Sequence, residues 1–292
     1  MRKQRDILPQ MSRTLHVAIV VYRSNGEWLL RTLHSLNRAI AVAQQQGRLD
    51  EAEIHVVDNA ASEAATPAAH AALGTALAEA QQSLARGVRL SPLPMAANCG
   101  YGAANNAALA RTRADYVLVL NPDVETAPDA ISEAIAYLLA HADVAMVTPA
   151  ATYPDGAPQY LVKGMPNVLA LALRGFAPEP IRALFAGTLT RYEMRDVPFD
   201  APLTGCRIVS GCWMVMRGDV WRASGGFDEN FFLYFEDFDL SARIAQQHAI
   251  HRVPACRIVH AGGNAADKGG KHIGMFIRSA ARFFSKHGWR WW

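Results

Sequence analysis

A chain of 292 residues, 51% apolar and 19% charged, can bury a sizeable core in one large domain or two small ones, which excludes wholesale disorder. Its strand-like apolar runs are about five to seven residues long, too short to span a bilayer as helices, and the basic start MRKQRDILPQMSR has neither the apolar segment nor the cleavage site of a secretory signal. The formal charge of +3 is uneven, with four Lys/Arg against one acid in residues 1–13 and six with no acid in residues 268–292, so the body between them is net acidic.

In chain order, His16–Tyr22 (HVAIVVY) is an apolar run that predicts a strand, followed by a Ser-Asn-Gly turn. Glu27–Ala43 repeats Trp28, Leu29, Leu33, Leu36 and Ile40 at helical spacing, and Glu53–Val57 (EIHVV) predicts a second strand ending in Asp58. Strand, helix, strand is the opening of an open α/β sheet whose strands read as continuous apolar runs because helices cover both faces. Residues 63–86 suggest one or two Ala-rich surface helices, and Val88–Leu90 a short strand. Asn98–Asn106 (NCGYGAANN) is a Gly/Asn loop entering a helix, Tyr116–Leu120 a strand, Pro128–Ala140 a helix and Ala145–Thr148 a strand. Eight prolines break the pattern between 149 and 205, where a hairpin and a mobile loop are expected. Ile208–Met216 reads as a strand, Arg217–Arg222 as a helix start, Asp239–Gln246 as a helix and RIVH, ending at His260, as a short strand. The four cysteines, Cys99, Cys206, Cys212 and Cys256, have no metal-site spacing and imply a reduced, cytosolic compartment.

Several residues could carry chemistry. Asp58 and Asp123 each follow an apolar strand, and ligands of open α/β sheets sit beyond the carboxyl ends of strands; a single acid there could equally cap a turn. Gly100 and Gly102 lack GxGxxG spacing, so they permit either a close backbone approach to a ligand or a simple turn. In GGFDENFFLYFEDFDLSAR, Glu236 and Asp237 stand at a helix start against an aromatic wall. First-turn acids favour a helix, and a carboxylate in a partly dry cleft is also a general base near neutral pH. His260 at a strand end is a structural histidine, or a metal ligand if Asp123 lies beside it. At the C-terminus, Ile273, Phe276, Ile277, Ala280, Ala281 and Phe284 form one apolar helical face, with Arg278, Arg282 and Lys286 in a basic row before GWRWW. That helix either lies in an anionic membrane interface or packs on the domain with its charges in solvent. The acidic body and the lack of a reading motif argue against nucleic acid.

The order VVDNAAS, NCGYGAANN, LVLNPDV, SGCWMVMRGDVWRASGGFDENFFLYFEDFDLSAR and IVHAGG resembles the family 2 inverting glycosyltransferases, nearest to their rhamnosyltransferase-like branch, over about residues 16–263. The resemblance implies the GT-A fold, a single Rossmann-like α/β domain with a central, mostly parallel mixed sheet flanked by helices. Residues 14–267 would form it, with a nucleotide-sugar-binding half (14–125) and an acceptor-binding, catalytic half (126–267), followed by a basic amphipathic helix (268–292). It further implies that Asp58 recognises the nucleotide base and that Asn98, Gly100 and Gly102 line the nucleotide-sugar. Asp123, with His260, would hold Mg²⁺ or Mn²⁺ under the diphosphate; Gly211 would border the donor sugar. Asp237 would be the catalytic base with Glu236 beside it, and Arg243 would close the donor-site motif.

Many relatives carry Asp-x-Asp where this chain has Asn121, which weakens the first position as a cation ligand. The implied reaction is inverting transfer from a nucleoside-diphosphate sugar such as dTDP-L-rhamnose to a glycan or polyprenyl-linked acceptor in bacterial surface polysaccharide synthesis. The implied location is the cytoplasmic face of the membrane, with oligomerisation left open. Two alternatives stand beside it: a nucleotidyltransferase of similar fold, against which VVYRSNGEW offers only Arg23 and one glycine, and an inactive sugar-nucleotide-binding protein, which Asn121 supports and the intact FEDFDL opposes.

Overall fold

Strand β1 (Thr14–Val21) is followed by helix α1 (Gly26–Gln45) and strand β2 (Glu51–Asp58) in a computed structural model that describes residues 13–23, 25–60, 67–262 and 270–292. Helix α1 starts where the Asn25 side chain accepts the Glu27 N–H at 2.8 Å, and it buries Leu29, Leu33, Leu36 and Ile40 against the sheet. The chain continues through α2 (Pro67–Gln82), β3 (Val88–Pro94), α3 (Tyr101–Leu109), β4 (Tyr116–Leu120), β5 (Val124–Thr126), α4 (Ala130–Ala140) and β6 (Val144–Thr152). Then come β7 (Pro158–Gln159), β8 (Val162–Lys163), α5 (Val168–Phe176), α6 (Glu179–Leu184), α7 (Ala186–Tyr192), β9 (Ile208–Val209) and β10 (Trp213–Arg217). Helices α8 (Gly218–Ser224) and α9 (Glu236–Ile244), strand β11 (Ala249–His260) and helix α10 (Gly270–His287) complete the described chain.

The main sheet runs β3-β2-β1-β4-β10-β6-β11-β5, with β7 paired to β6. Strands β3, β2, β1 and β4 are parallel, as are β6 and β11, while β10 runs antiparallel between β4 and β6. This is the mixed, mostly parallel α/β sheet that the sequence implies. Strand β4 is buried at all five positions because helices cover both faces. One core layer sets Leu33, Leu36 and Ile40 against the sheet, and the opposite layer sets Leu109, Trp221 and Leu240 against it.

The topology fixes where chemistry can occur. Parallel β1, β2 and β4 end on one rim, with Val21 beside Asp58, and antiparallel β10 begins there, with Trp213 opposite Leu120. Asp58, Asn121, Asp123 and Gly211 therefore come to the same edge from three separate segments.

Several boundaries differ from expectation. Segment 149–205 holds the expected hairpin, β6 turning back antiparallel onto β7, but in place of the expected mobile loop it pairs β8 with β9 and folds three helices. Its prolines mark helix entries, Pro166 preceding the Asn167 cap of α5 and Pro178 capping α6. Ile208–Met216 is two strands, RIVH is the end of the twelve-residue β11, and Gly102 lies inside α3 rather than in a loop. Helix α9 starts at Glu236, three residues before its expected start, and is entered through Tyr234 and Phe235 at φ 70° and 65°. Two consecutive left-handed aromatic residues are strained, and they persist because buried Phe235 is gripped by Phe238, Phe276 and Phe283.

The expected helix start at Lys268 lies outside the described residues, as do the first twelve residues and residues 63–66. The apolar face of α10 proves to be divided. Phe276, Ala280, Phe283 and Phe284 pack on α5 and α9, whereas Ile273 and Ile277 face solvent. Beyond the helix, the Val168 and Leu169 N–H groups donate to the Arg290 and Trp291 carbonyls at 2.8 and 3.0 Å, which ties the tail to the start of α5. Phe283→Ala removes the ring shared by α9 and α10 and should cost about 3–5 kcal/mol in chemical denaturation.

Candidate active site

Asp237 sits in the first turn of α9. Its Oδ2 accepts the Gly211 N–H at 2.8 Å and its Oδ1 the Phe238 N–H at 2.9 Å. Burial raises the Asp237 pKa to about 6, against the lowering effect of those N–H groups. Next to it, Glu236 is buried and its Oε2 has no hydrogen-bond partner. Burial, then the Asp237 charge, pushes the Glu236 carboxyl well above the usual range. Two carboxyls this close share their titration. At neutral pH the geometry favours Glu236 protonated and Asp237 ionised, leaving Asp237 as a poised proton acceptor.

Gly211 must be small, since a Cβ there would stand 3.1 Å from the Asp237 Cβ. The Gly211 carbonyl accepts the Tyr101 hydroxyl at 2.9 Å, and the same hydroxyl lies 2.9 Å from Asn121 Oδ1. Tyr101 thus ties the end of β4 to the segment that holds Asp237. Burial, then Glu236 and Asp237, drives its pKa far up, so it stays a neutral hydroxyl.

The Gly/Asn segment anchors this tyrosine. Gly100 has φ +88°, and a Cβ there would stand 2.3 Å from the Phe232 carbonyl oxygen, which accepts the Tyr101 N–H at 3.0 Å. A Cβ on Gly102 would already stand 2.9 Å from the Phe227 Cβ. Asn98 Oδ1 accepts the Gly100 N–H at 3.0 Å, and buried Asn59 donates to Asn98 Oδ1 at 3.1 Å. Both glycines therefore serve the docking of α3 onto the aromatic loop, a contact the sequence pattern did not disclose.

A second acidic position forms at the ends of β4 and β11. His260 Nε2 lies 3.4 Å from Asp123 Oδ1, a buried atom without a hydrogen-bond partner. Gln159 donates to the Gly262 carbonyl at 2.9 Å, which turns its Oε1 toward His260 Nδ1, also at 2.9 Å. Nδ1–H therefore donates to Gln159, which leaves Nε2 to face Asp123. Burial works against the imidazolium, but Cys212 and Asp123 outweigh it and push the His260 pKa up to about 10. With its pKa that high, Nε2 holds a proton toward Asp123, and a divalent cation such as Mg²⁺ or Mn²⁺ would take that proton's place between Nε2 and the orphaned Asp123 Oδ1. Asn121 Oδ1 lies 2.9 Å from the Tyr101 hydroxyl, and the amide atom turned toward the pair is Nδ2, 3.4 Å from His260 Nε2.

Asp58 closes the rim at the end of β2. It accepts the Ala60 N–H at 3.0 Å and lies 3.5 Å from His70 Nε2. Arg243, expected at the donor site, turns inward instead. It pairs with Asp239 at 2.8 Å and donates to the Ser224 and Gly226 carbonyls, both at 2.6 Å. Its three nitrogens hold the loop before α9, so we assign it to positioning. Tyr101, Asn59 and Gln159 were not singled out from sequence. Tyr101 lies within the conspicuous NCGYG string, but nothing local marks Gln159.

Comparison with known proteins agrees with this geometry. The model of glycosyl transferase family 2 matches residues 16–220, well over half of the chain, and the protein belongs to that family. The matched span includes Asp58, Asp123 and Gly211 and ends before Asp237. Over 213 residues the chain is 25% identical to the N-acetylglucosaminyl-diphospho-decaprenol L-rhamnosyltransferase of Mycobacterium tuberculosis, covering 68% of each protein. Among solved structures it resembles the mannosyltransferase PcManGT from Pyrobaculum calidifontis, in complex with GDP-Man and Mn²⁺, at 16% identity and TM-score 0.56, covering 96% of this chain and 68% of that one. GalNAc-T7 with UDP, GalNAc and Mn²⁺ superposes at 14% identity and TM-score 0.58, covering 92% of this chain, which spans only 48% of that longer protein. The protein is a glycosyltransferase of inverting type, taking a nucleoside-diphosphate sugar to a glycan or lipid acceptor. The nucleotidyltransferase alternative falls with this assignment.

Gly211→Ala should shift Asp237 and lower transfer by roughly 10–100-fold with the fold intact by circular dichroism. In the wild type, an Asp237 base must be ionised, so transfer should fall as pH drops through about 6. A rate that stays flat well below that pH would remove the assignment.

Proposed function

We propose that this enzyme transfers L-rhamnose from a nucleoside diphosphate such as dTDP to a saccharide carried on a polyprenyl diphosphate, in building a bacterial surface polysaccharide. The adjacent pair of buried Glu236 and half-buried Asp237 supports the chemistry, and the mycobacterial relative's named reaction supports the choice of sugar and carrier.

Residues 14–125 bind the donor and residues 126–267 the acceptor. Asp58 accepts the imino N–H of the nucleotide base, and Asn98, Gly100 and Gly102 carry the backbone that borders the nucleotide. Gly211 flanks the sugar. Asp237 removes the proton of an acceptor hydroxyl, whose oxygen forms a bond to the anomeric carbon as the bond to the diphosphate oxygen breaks. Attack opposite the leaving nucleotide inverts the anomeric centre, with no sugar bound to the enzyme. A divalent cation on Asp123 and His260 would supply charge neutralisation to the departing diphosphate. Glu236, kept neutral, spares the site a second negative charge next to that diphosphate.

A polyprenyl carrier implies work at a membrane face. Among the described residues no helix is long and apolar enough to cross one. Peripheral contact through α10 fits its outward stripe: Ile273 and Ile277 are exposed, Arg278 and Arg282 flank them, and Trp289, Trp291 and Trp292 project beyond. Lys286 belongs to the fold rather than to this stripe, since it pairs with Asp228 and Asp239, each at 2.8 Å.

Asp237→Asn should keep donor affinity by calorimetry while transfer falls by roughly 10²-fold or more; unchanged turnover would reject the base. Across a panel of sugar nucleotides, dTDP-L-rhamnose should give the fastest acceptor-dependent nucleotide release, and a faster hexosamine or mannose donor would overturn the sugar assignment. Ile273→Ser with Ile277→Ser should reduce sedimentation with anionic vesicles and leave soluble-acceptor transfer intact. Equal sedimentation would leave α10 a packing element only.

A further inference from the structure

On the face of the sheet beneath the end of α3, away from the Asp123 rim, three potential ligands converge. Parallel pairing sets His16 of β1 opposite Glu53 of β2, and His55, two residues further on, points to the same face. His16, Glu53 and His55 each offer one ligand atom, all within 4.8 Å of one another, and His16 Nε2 lies 3.8 Å from Glu53 Oε2. We propose that these residues form a second cation site, distinct from Asp123 and His260, that takes a borderline transition-metal ion such as Zn²⁺.

Two of the three ligands are held by neighbours. Thr112 Oγ1 lies 3.0 Å from His16 Nδ1, which leaves Nε2 for the cluster, and Ser91 Oγ donates to Glu53 Oε1 at 2.8 Å. His55 Nε2 is buried without a hydrogen-bond partner, a desolvated lone pair or N–H that protein atoms leave unsatisfied. Burial also lowers the pKa of both imidazoles, so each is neutral at physiological pH and can ligate without first losing a proton.

Two imidazoles and one carboxylate suit Zn²⁺ or Co²⁺ better than Mg²⁺, which prefers oxygen ligands. One competitor is present: the Arg89 guanidinium lies 3.0 Å from Glu53 Oε2. Its side chain is 75% exposed, so an arriving metal can displace it into solvent. Along β2, His55 precedes Asp58 by three residues, about 10 Å, and the two point to opposite faces. A metal here would clip β1 to β2 behind the rim without touching the donor.

The test is Zn²⁺ binding to the full chain by equilibrium dialysis, with Co²⁺ absorption as a direct report of imidazole ligation. An Asp123→Ala, His260→Ala background should still bind one Zn²⁺ per chain. His16→Gln and His55→Gln should each weaken that binding by roughly 10²-fold while retaining the native circular dichroism. Arg89→Ala should tighten it, an effect that a purely structural ion-pair network would not produce. Absence of Zn²⁺ binding in that background, or binding indifferent to His16→Gln and His55→Gln, overturns the proposal.

Discussion

Two adjacent carboxyls, Glu236 buried and Asp237 half-buried beside it, are the constraint around which the rest of the structure is arranged. Burying either group carries a desolvation cost, and burying both adds their mutual repulsion. The fold meets this by giving them different surroundings. Asp237 receives two N–H donors and the start of a helix, whereas Glu236 Oε2 receives no partner. One proton is thereby held on Glu236, and one charge stays where an incoming hydroxyl can use it. The cost is met elsewhere, in the phenylalanine cluster that grips Phe235 and stabilises the left-handed entry into α9.

The same economy links the two acidic positions of the rim. Tyr101 spans from Asn121 to the Gly211 carbonyl, and the Gly211 N–H holds Asp237. Asn121 Nδ2 in turn lies 3.4 Å from His260, which faces Asp123. A continuous chain of polar contacts thus joins the position suited to a cation to the position suited to a base. It also gives Asn121 its place: Oδ1 lies beside the Tyr101 hydroxyl and the NH₂ group faces His260, where a carboxylate has no N–H to offer. The departure from Asp-x-Asp is therefore a structural choice in this chain and does not by itself argue for lost activity.

Much of the fold was legible because its determinants are local. The apolar runs of β1, β2 and β4 and the periodic face of α1 declare themselves within windows of a few residues. The ends of those strands placed Asp58 and Asp123 on a common rim before any coordinates. What was not legible depends on long-range contact. Segment 149–205 folds against β6, β9, β11 and the C-terminal tail, and its helices, of nine, six and seven residues, are too short to declare themselves by periodicity. The start of α9 is set by backbone conformations at Tyr234 and Phe235 that no propensity favours. Arg243 looked like part of a binding motif because it closes FEDFDLSAR, yet its partners are the Ser224 and Gly226 carbonyls, nineteen and seventeen residues upstream. Gln159 orients His260 from 101 residues away, a distance across which sequence alone gives no sign.

A structure with donor and acceptor bound tests the central claim most directly. The account expects the attacking hydroxyl within hydrogen-bond reach of an Asp237 carboxylate oxygen, about 2.6–3.2 Å, on the face of the sugar away from the nucleotide. A hydroxyl resting instead on Glu236, or an anomeric carbon more than about 10 Å from Asp237 in the closed complex, would contradict it, since proton transfer needs direct contact or a single intervening water.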